Sequence, residues 1–311
     1  MLCSRLRLAV GSYLRLASAV RLAFSVWAVN SQRNAAVKQS LFRFLNTQYN
    51  RAHSAAPELI NDAPRIDARF ITKFCRRIKL QEGIFYKSLG TLGGGNHFIE
   101  YSEDEKTQEA WLPIHCSFWN LEAKVVNHWR NVAQNPKKAN FIGYLWGDAL
   151  NGYLSDMVLA QTYTLYNHHV IRDRIFAILK KLCKAKCVES VFTTHNYIAI
   201  NEEYPMLHKG AVRAAEGEKF CLPFNMRDGI AICVGKGNAE WNYSAPHGAG
   251  RIMSRNAAQK NIAPEEFEKS MKDIFATSVC RGTSDESPQA YKPSGRNTTF
   301  GRTNDRGDNY G

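Results

Sequence analysis

The chain has 311 residues, 44% of them hydrophobic and 22% charged, a balance that suits a globular protein and excludes a disordered or fibrous one. Its formal net charge of +13, with a pI near 9.4, favours polyanionic partners such as nucleic acid. No apolar run reaches the roughly 18 residues of a membrane span, and the eight cysteines lack the spacing of a zinc ribbon or a disulfide scaffold.

The charge is unevenly placed. No acid precedes Glu58, yet Arg5, Arg7, Arg15, Arg21, Arg33, Lys38, Arg43 and Arg51 do, so residues 1–57 supply eight of the thirteen net charges. With Leu6, Leu8, Leu14, Leu16, Leu22 and Phe24 interspersed, this stretch reads as an Arg-rich leader. It is either a mitochondrial-type transit peptide or sequence unrelated to the rest of the chain. A polar connector with some helical character spans Glu58–Glu82.

Ile84–Glu100 reads as strand, glycine loop and the start of a second strand. Trp111–His115 is a short apolar run ending on a histidine, as a buried strand delivering a ligand at its tip would be. Gly152–Lys186 is the clearest helix: Leu154, Val158, Leu165, Ile171, Ile175, Ile178, Leu179 and Leu182 recur at three- and four-residue steps. His168 and His169 on it are packing or surface residues. Cys183 and Cys187, four apart, do not make a zinc site by themselves.

Val191–Asn196 is a β-branched run closing on His195. Leu207–Glu218 reads as loop and short helix, and Asn225–Gly229 (NMRDG) as a turn feeding a core strand at Ile230–Val234. Ala263–Ile274 is an amphipathic helix with Pro264 in its first turn. The tail from Ser294 has no aliphatic residue and reads as disordered.

Two segments carry chemistry. In Asn242–Arg255 (NYSAPHGAGRIMSR), His247 stands among Pro246, Gly248, Ala249 and Gly250, with Arg251 beyond. Glycines let a backbone approach a ligand closely, and an imidazole so presented suits phosphate transfer. A glycine-rich turn with an incidental surface histidine fits the same residues. Ser88–Glu100 (SLGTLGGGNHFIE) runs three glycines into Asn96, His97, Phe98 and Glu100; it is neither a P-loop nor a dinucleotide fingerprint. His97, His115 and His195 follow or end strands, rigid places from which to present imidazole to a metal, although a satisfied core histidine fits each of them singly.

Together with His115, the His195-Asn196 pair and NMRDG, these segments resemble the RtcB family of RNA-splicing ligases from about Ile66 to about Pro293. The resemblance implies a single large α+β domain, a mixed β-sheet core surrounded by helices, over 58–293. It implies a GTP- and Mn²⁺-dependent ligase joining RNA 3′-phosphate or 2′,3′-cyclic phosphate ends to 5′-hydroxyl ends. His247 would be guanylylated, and His97, His115 and His195 would hold two Mn²⁺ ions. Asn96, Phe98, Glu100, Asn196, Lys209, Asn225, Gly248, Gly250 and Arg251 would bind GTP. RNA and GTP are then the partners, without a membrane, in the cytoplasm, or in mitochondria if the leader is a transit peptide.

This sequence also departs from the family. The family's Asp-x-x-Cys pair, whose thiolate bridges the metals, has no match, as if the N-terminal side were truncated. The motif usually read HSGSR is HCSFW, with Trp119 in place of arginine, Ile230 follows NMRDG where serine is usual, and the C-terminal lysine is missing. Cys116 beside His115 is a candidate substitute thiol, although neighbouring strand residues face opposite ways. A second reading is therefore a catalytically impaired fragment that at most binds GTP or RNA.

Overall fold

The computed structural model describes residues 1–7, 39–47, 65–93, 96–104, 107, 109–117, 119–133, 143–200 and 205–293. Most of the expected leader, the tip of the glycine loop and the C-terminal tail lie outside the described residues. The described residues form an α+β domain. A five-stranded sheet runs in the order β2 (Phe98–Ile99), β4 (Ala110–His115), β1 (Leu2–Arg7), β5 (Lys186–Phe192), with β3 (Ser102–Glu103) also on β4. A second sheet orders β10 (Ser244–Pro246), β7 (Met206–Arg213) and β6 (His195–Ala199), and β8 (Lys219–Asn225) pairs with β9 (Gly229–Val234). The expected mixed sheet is antiparallel in every described pairing.

Strand β1 lies within the stretch read as a leader and sits in the sheet between β4 and β5. Its residues alternate as the strand period requires: Leu2 and Leu6 are buried on one side, Met1 and Cys3 on the other. Arg5, part of the Arg-rich leader in sequence, is paired with Glu109 on the segment leading into β4 and Glu189 on β5. Local composition cannot announce this, because the partners lie far along the chain.

Seven α-helices lie among the described residues: α1 (39–47), α2 (Ala68–Arg77), α3 (Glu82–Lys87), α4 (Trp119–Val132), α5 (Gly147–Cys183), α6 (Arg255–Asn261) and α7 (Pro264–Ser270). The 37-residue α5 ends at Lys184, which takes a left-handed conformation with φ 54°. Its first half packs Leu154, Val158, Leu159 and Tyr163 against α1–α4, and its second half lays Ile171, Ile175 and Leu179 on the sheet. Buried Asp156 accepts hydrogen bonds from Trp129 Nε1 (2.9 Å) and Arg77 Nε (3.1 Å), pinning α4 and α2 to α5. No helix among the described residues is long and apolar enough to cross a membrane.

Other expectations shift. Ile84–Tyr86 lies in α3, not in a strand, because Phe85 packs edge-on to Phe74 of α2 and against Tyr163 of α5; a short apolar run does not reveal its period. Residues 207–213, read as loop and short helix, form β7, whose His208 and Val212 are buried while Leu207 and Lys209 are exposed. The helix expected over Ala263–Ile274 stops at Ser270.

Candidate active site

The four histidines singled out in the sequence converge. Ring centres lie 5.4 Å apart for His97–His115, 5.2 Å for His115–His195 and 5.1 Å for His195–His247, the last pair stacked at 18°. Three strand systems assemble this row. His115 ends β4, opposite Phe98 in β2, which puts His97 next to it. His195 opens β6, after a break at Thr193-Thr194, rather than closing β5. The pairing of β10 with β7 brings in His247.

Local devices hold each ring. Gly93 has φ +89°, and a Cβ there would fall 2.5 Å from His97 Nδ1, so only glycine lets the loop pass this ring. Asn167 on α5 anchors the same loop through Gly90 N (2.5 Å) and Thr91 O (3.0 Å). Ser117 Oγ lies 3.1 Å from His97 Nε2. His247, exposed at the other end, has its Nδ1 2.7 Å from the Gly210 carbonyl. Asn196 in turn accepts from Gly210 N at 2.8 Å and from Lys209 Nζ at 3.3 Å. Asn196 thus fixes the turn that fixes His247.

Burial sets the charge of the row. It lowers the pKa of His97, drives that of His115 well below its ordinary value and takes His195 to about 3, with the Met1 ammonium and neighbouring imidazoles adding to the effect on the latter two. These rings are neutral at pH 7, the state in which imidazole binds a metal ion. The buried Nδ1 atoms of His97 and His115 have no hydrogen-bond partner. Two imidazoles sharing one ion through bonds of about 2.1 Å have ring centres roughly 5 Å apart, so the donor chemistry and spacing fit a divalent cation. The set is open, however: among the described residues no three His, Cys, Asp or Glu side chains gather tightly enough to enclose an ion.

Sequence reasoning missed Cys3. It is fully buried on β1, paired with Pro113 two residues before His115, and so shares the histidine face of the sheet. The only signal was the alternation Leu2, Ser4, Leu6 around it. Cys116, the candidate substitute, points the other way: its Sγ accepts from Asn167 Nδ2 at 3.5 Å, and burial pushes its thiol up to about 12. All eight cysteines are free.

The expected GTP residues divide. Asn96 is exposed beside His97, and Phe98 tilts over His115 at 5.7 Å. Glu100, its pKa raised by burial, lies beside the NMRDG turn, where a Cβ on Gly229 would be 3.6 Å from its Oε1. Asn225 is occupied by that turn, accepting from Arg227 N and Asp228 N at 3.0 Å each. Arg251 is engaged within the chain. Its Nε donates to Met253 O (3.1 Å), Nη1 to Tyr291 Oη (2.9 Å) and Nη2 to the Asp285 carbonyl, and it stacks on the Tyr291 ring at 4.7 Å. Gly248 backs onto the Pro223 carbonyl, and Gly250 accepts from Lys292 N at 3.1 Å. The glycines and Arg251 therefore brace the loop that presents His247. Ile230 packs with the cluster around Cys3 and Cys221.

A family model described as "tRNA-splicing ligase RtcB" matches residues 22–297, a longer stretch than the motifs alone suggest. The chain is 29% identical over 230 residues to the RNA-splicing ligase RtcB of Escherichia coli K12, covering 67% of this chain and 55% of that protein. It is 27% identical over 260 residues to the tRNA-splicing ligase RtcB of Aeropyrum pernix, covering 66% and 54%. With the RNA-splicing ligase RtcB of Mycobacterium tuberculosis it shares 23% over 263 residues, covering 68% and 60%. The chain spans about half the length of the curated relatives it matches.

Proposed function

Because the chain belongs to the RtcB family, we propose that it is an RNA ligase joining a 3′-phosphate or 2′,3′-cyclic phosphate end to a 5′-hydroxyl end, using GTP and a guanylylated His247. One observation carries the reading: exposed His247 has Nδ1 engaged by the Gly210 carbonyl, which leaves the Nε2 lone pair as the nucleophile. Nε2 attacks the α-phosphorus of GTP; the N–P bond forms and the P–O bond to pyrophosphate breaks. The Gly210 carbonyl steadies the imidazolium that results. An oxygen of the RNA 3′-phosphate then takes GMP from Nε2. Finally the 5′-hydroxyl oxygen attacks the activated phosphorus, loses its proton and displaces GMP. A cyclic phosphate is first opened by water.

His97, His115 and His195, with the Cys3 thiol on the same face, would hold Mn²⁺, which supplies neutralisation of phosphate charge. Lys209, exposed and turned by Asn196, meets the phosphates, and Asn96, Phe98 and Glu100 the nucleotide. Cleaving the first 57 residues as a transit peptide would remove β1 from the middle of the sheet, so this reading keeps β1 in the working protein.

The test is incubation with α-labelled GTP and Mn²⁺, followed by isolation of an acid-labile, base-stable adduct. The parent chain should label and His247→Ala should not; label persisting in the variant would sink the assignment. The open ligand set favours one second reading, a chain that binds GTP or RNA without completing ligation. Labelled protein that never joins RNA ends would select it.

A further inference from the structure

The turn that leads into the nucleophile strand exposes two aromatic rings. Trp241 is 55% and Tyr243 46% exposed, and β10 runs from Tyr243 directly to His247. Rings left in water need a reason, and here the backbone holds them out. Asn242 and Tyr243 both take left-handed conformations, φ 48° and 50°, which non-glycine residues avoid. Four hydrogen bonds enforce this: Glu240 N to Asn238 Oδ1 (2.9 Å), Asn242 N to Ala239 O (3.0 Å), Tyr243 N to Asn238 O (2.9 Å) and Ala214 N to Tyr243 O (2.6 Å).

The ground beside this turn suits a polyanion. On β7, which lies alongside β10, Lys209 and Arg213 are exposed on one face, and Arg213 is directly opposite Ser244. Lys209 marks the His247 end of β10 and Arg213 the Tyr243 end. Glu218, 3.5 Å from Arg213, and exposed Glu240 are the nearby acids. Four residue steps along an extended chain lead from Tyr243 to His247, about 13 Å, which matches about four stacked nucleotides at 3.4 Å each.

We propose that Trp241 and Tyr243 form a stacking platform for single-stranded RNA, gripping bases a few nucleotides from the end that reacts at His247. The platform rests on the ligase reading for its direction. Aromatic faces accept any base, so the grip is indifferent to sequence and fits a ligase that must take many ends. Lys209 at the His247 end of β10 and Arg213 at the Tyr243 end add positive charge along the neighbouring strand.

The test measures binding by the full chain of two labelled RNAs ending in 3′-phosphate, one of about ten nucleotides and one dinucleotide too short to reach the rings. The double variant Trp241→Ala/Tyr243→Ala should bind the longer RNA roughly 5- to 100-fold more weakly. The dinucleotide should bind as it does to the parent. Trp241→Phe, which keeps a ring, should retain most of the affinity, separating stacking from any folding defect. Equal binding of the longer RNA by parent and double variant overturns the platform. So does equal weakening toward both RNAs, or a parent that self-associates through this turn while its RNA binding is untouched by the variants. Labelling of His247 from GTP needs no RNA: its failure in the parent would remove the ligase reading, while the binding arm still decides the platform.

Discussion

His115 and His168 are both buried and both held neutral, yet they lie on opposite faces of one strand end and serve different ends. On the helix side, His168 Nε2 accepts from Cys116 N at 3.4 Å and its Nδ1 lies 2.8 Å from the Thr164 carbonyl. On the other side His115 Nδ1 is buried without a partner. A buried polar atom with no partner costs stability, so it persists where something else is meant to bind it. The comparison extends to the two faces: the α5 side is completed by the chain itself, and on the histidine side the Nδ1 atoms of His97 and His115 are not.

The largest effect expected from breaking the closed side is at Asp156. Asp156→Ala leaves the Trp129 and Arg77 donors without their acceptor. It should destabilise the fold by about 2–4 kcal/mol, less than the 3–5 of a fully buried pair because Arg77 reaches solvent. Urea unfolding would measure it, and a loss below 1 kcal/mol would contradict the pinning role.

On the open side the expected pattern is inverted. His115→Ala should weaken Mn²⁺ binding about 10- to 100-fold or more, since even an outer-shell partner is worth that much. Titration calorimetry reads the affinity and thermal unfolding the stability; unchanged Mn²⁺ binding would remove His115 from the site. His168→Leu should reverse both readouts. It strands the Cys116 amide, at a cost of about 1–3 kcal/mol, and leaves Mn²⁺ affinity alone.

Acid sharpens the same contrast. Burial holds the folded-state pKa of His97, His115, His168 and His195 below the ordinary histidine value. Below about pH 6.5 the unfolded chain takes up protons that the folded chain refuses, so stability falls as pH falls, by up to about 1.4 kcal/mol per imidazole per unit. The loss continues toward about 3 for His195. Unfolding curves at pH 7.5 and 5.5 should show it, with a shallower slope in His168→Leu; equal slopes would mean that His168 titrates normally. The smallest effect is at Arg251, where Lys cannot reproduce the fork that meets Met253, Asp285 and Tyr291. Arg251→Lys should cost about 1 kcal/mol and leave guanylylation in place, whereas loss of labelling in a stable variant would restore Arg251 as a phosphate ligand.

Much of the site was legible because its residues sit in short motifs with their own backbone logic. Histidines at strand tips and glycines around His247 announce themselves locally, and they do converge. Helix α5 was legible from its period, with its start displaced from Gly152 to Gly147. What stayed hidden depends on distant pairing. Cys3 and β1 acquire meaning only beside β4 and β5, and Arg5 only beside Glu109 and Glu189. Nor does anything nearby in sequence show that Arg251 is held by the segment around Asp285 and Tyr291.

The place of β1 between β4 and β5 also sets a timetable for synthesis. Arg5 meets Glu109, 104 residues later, and Ser4 meets Ser190, 186 residues later. At 5–20 residues per second, a ribosome delivers the first partner after roughly 5–20 s and the second after roughly 10–40 s. Through that interval the strand has open edges and an apolar face, and the sheet closes only once most of the chain has emerged. Slower growth or a chaperone that shields strand edges should therefore raise the soluble yield more than any change to the later helices.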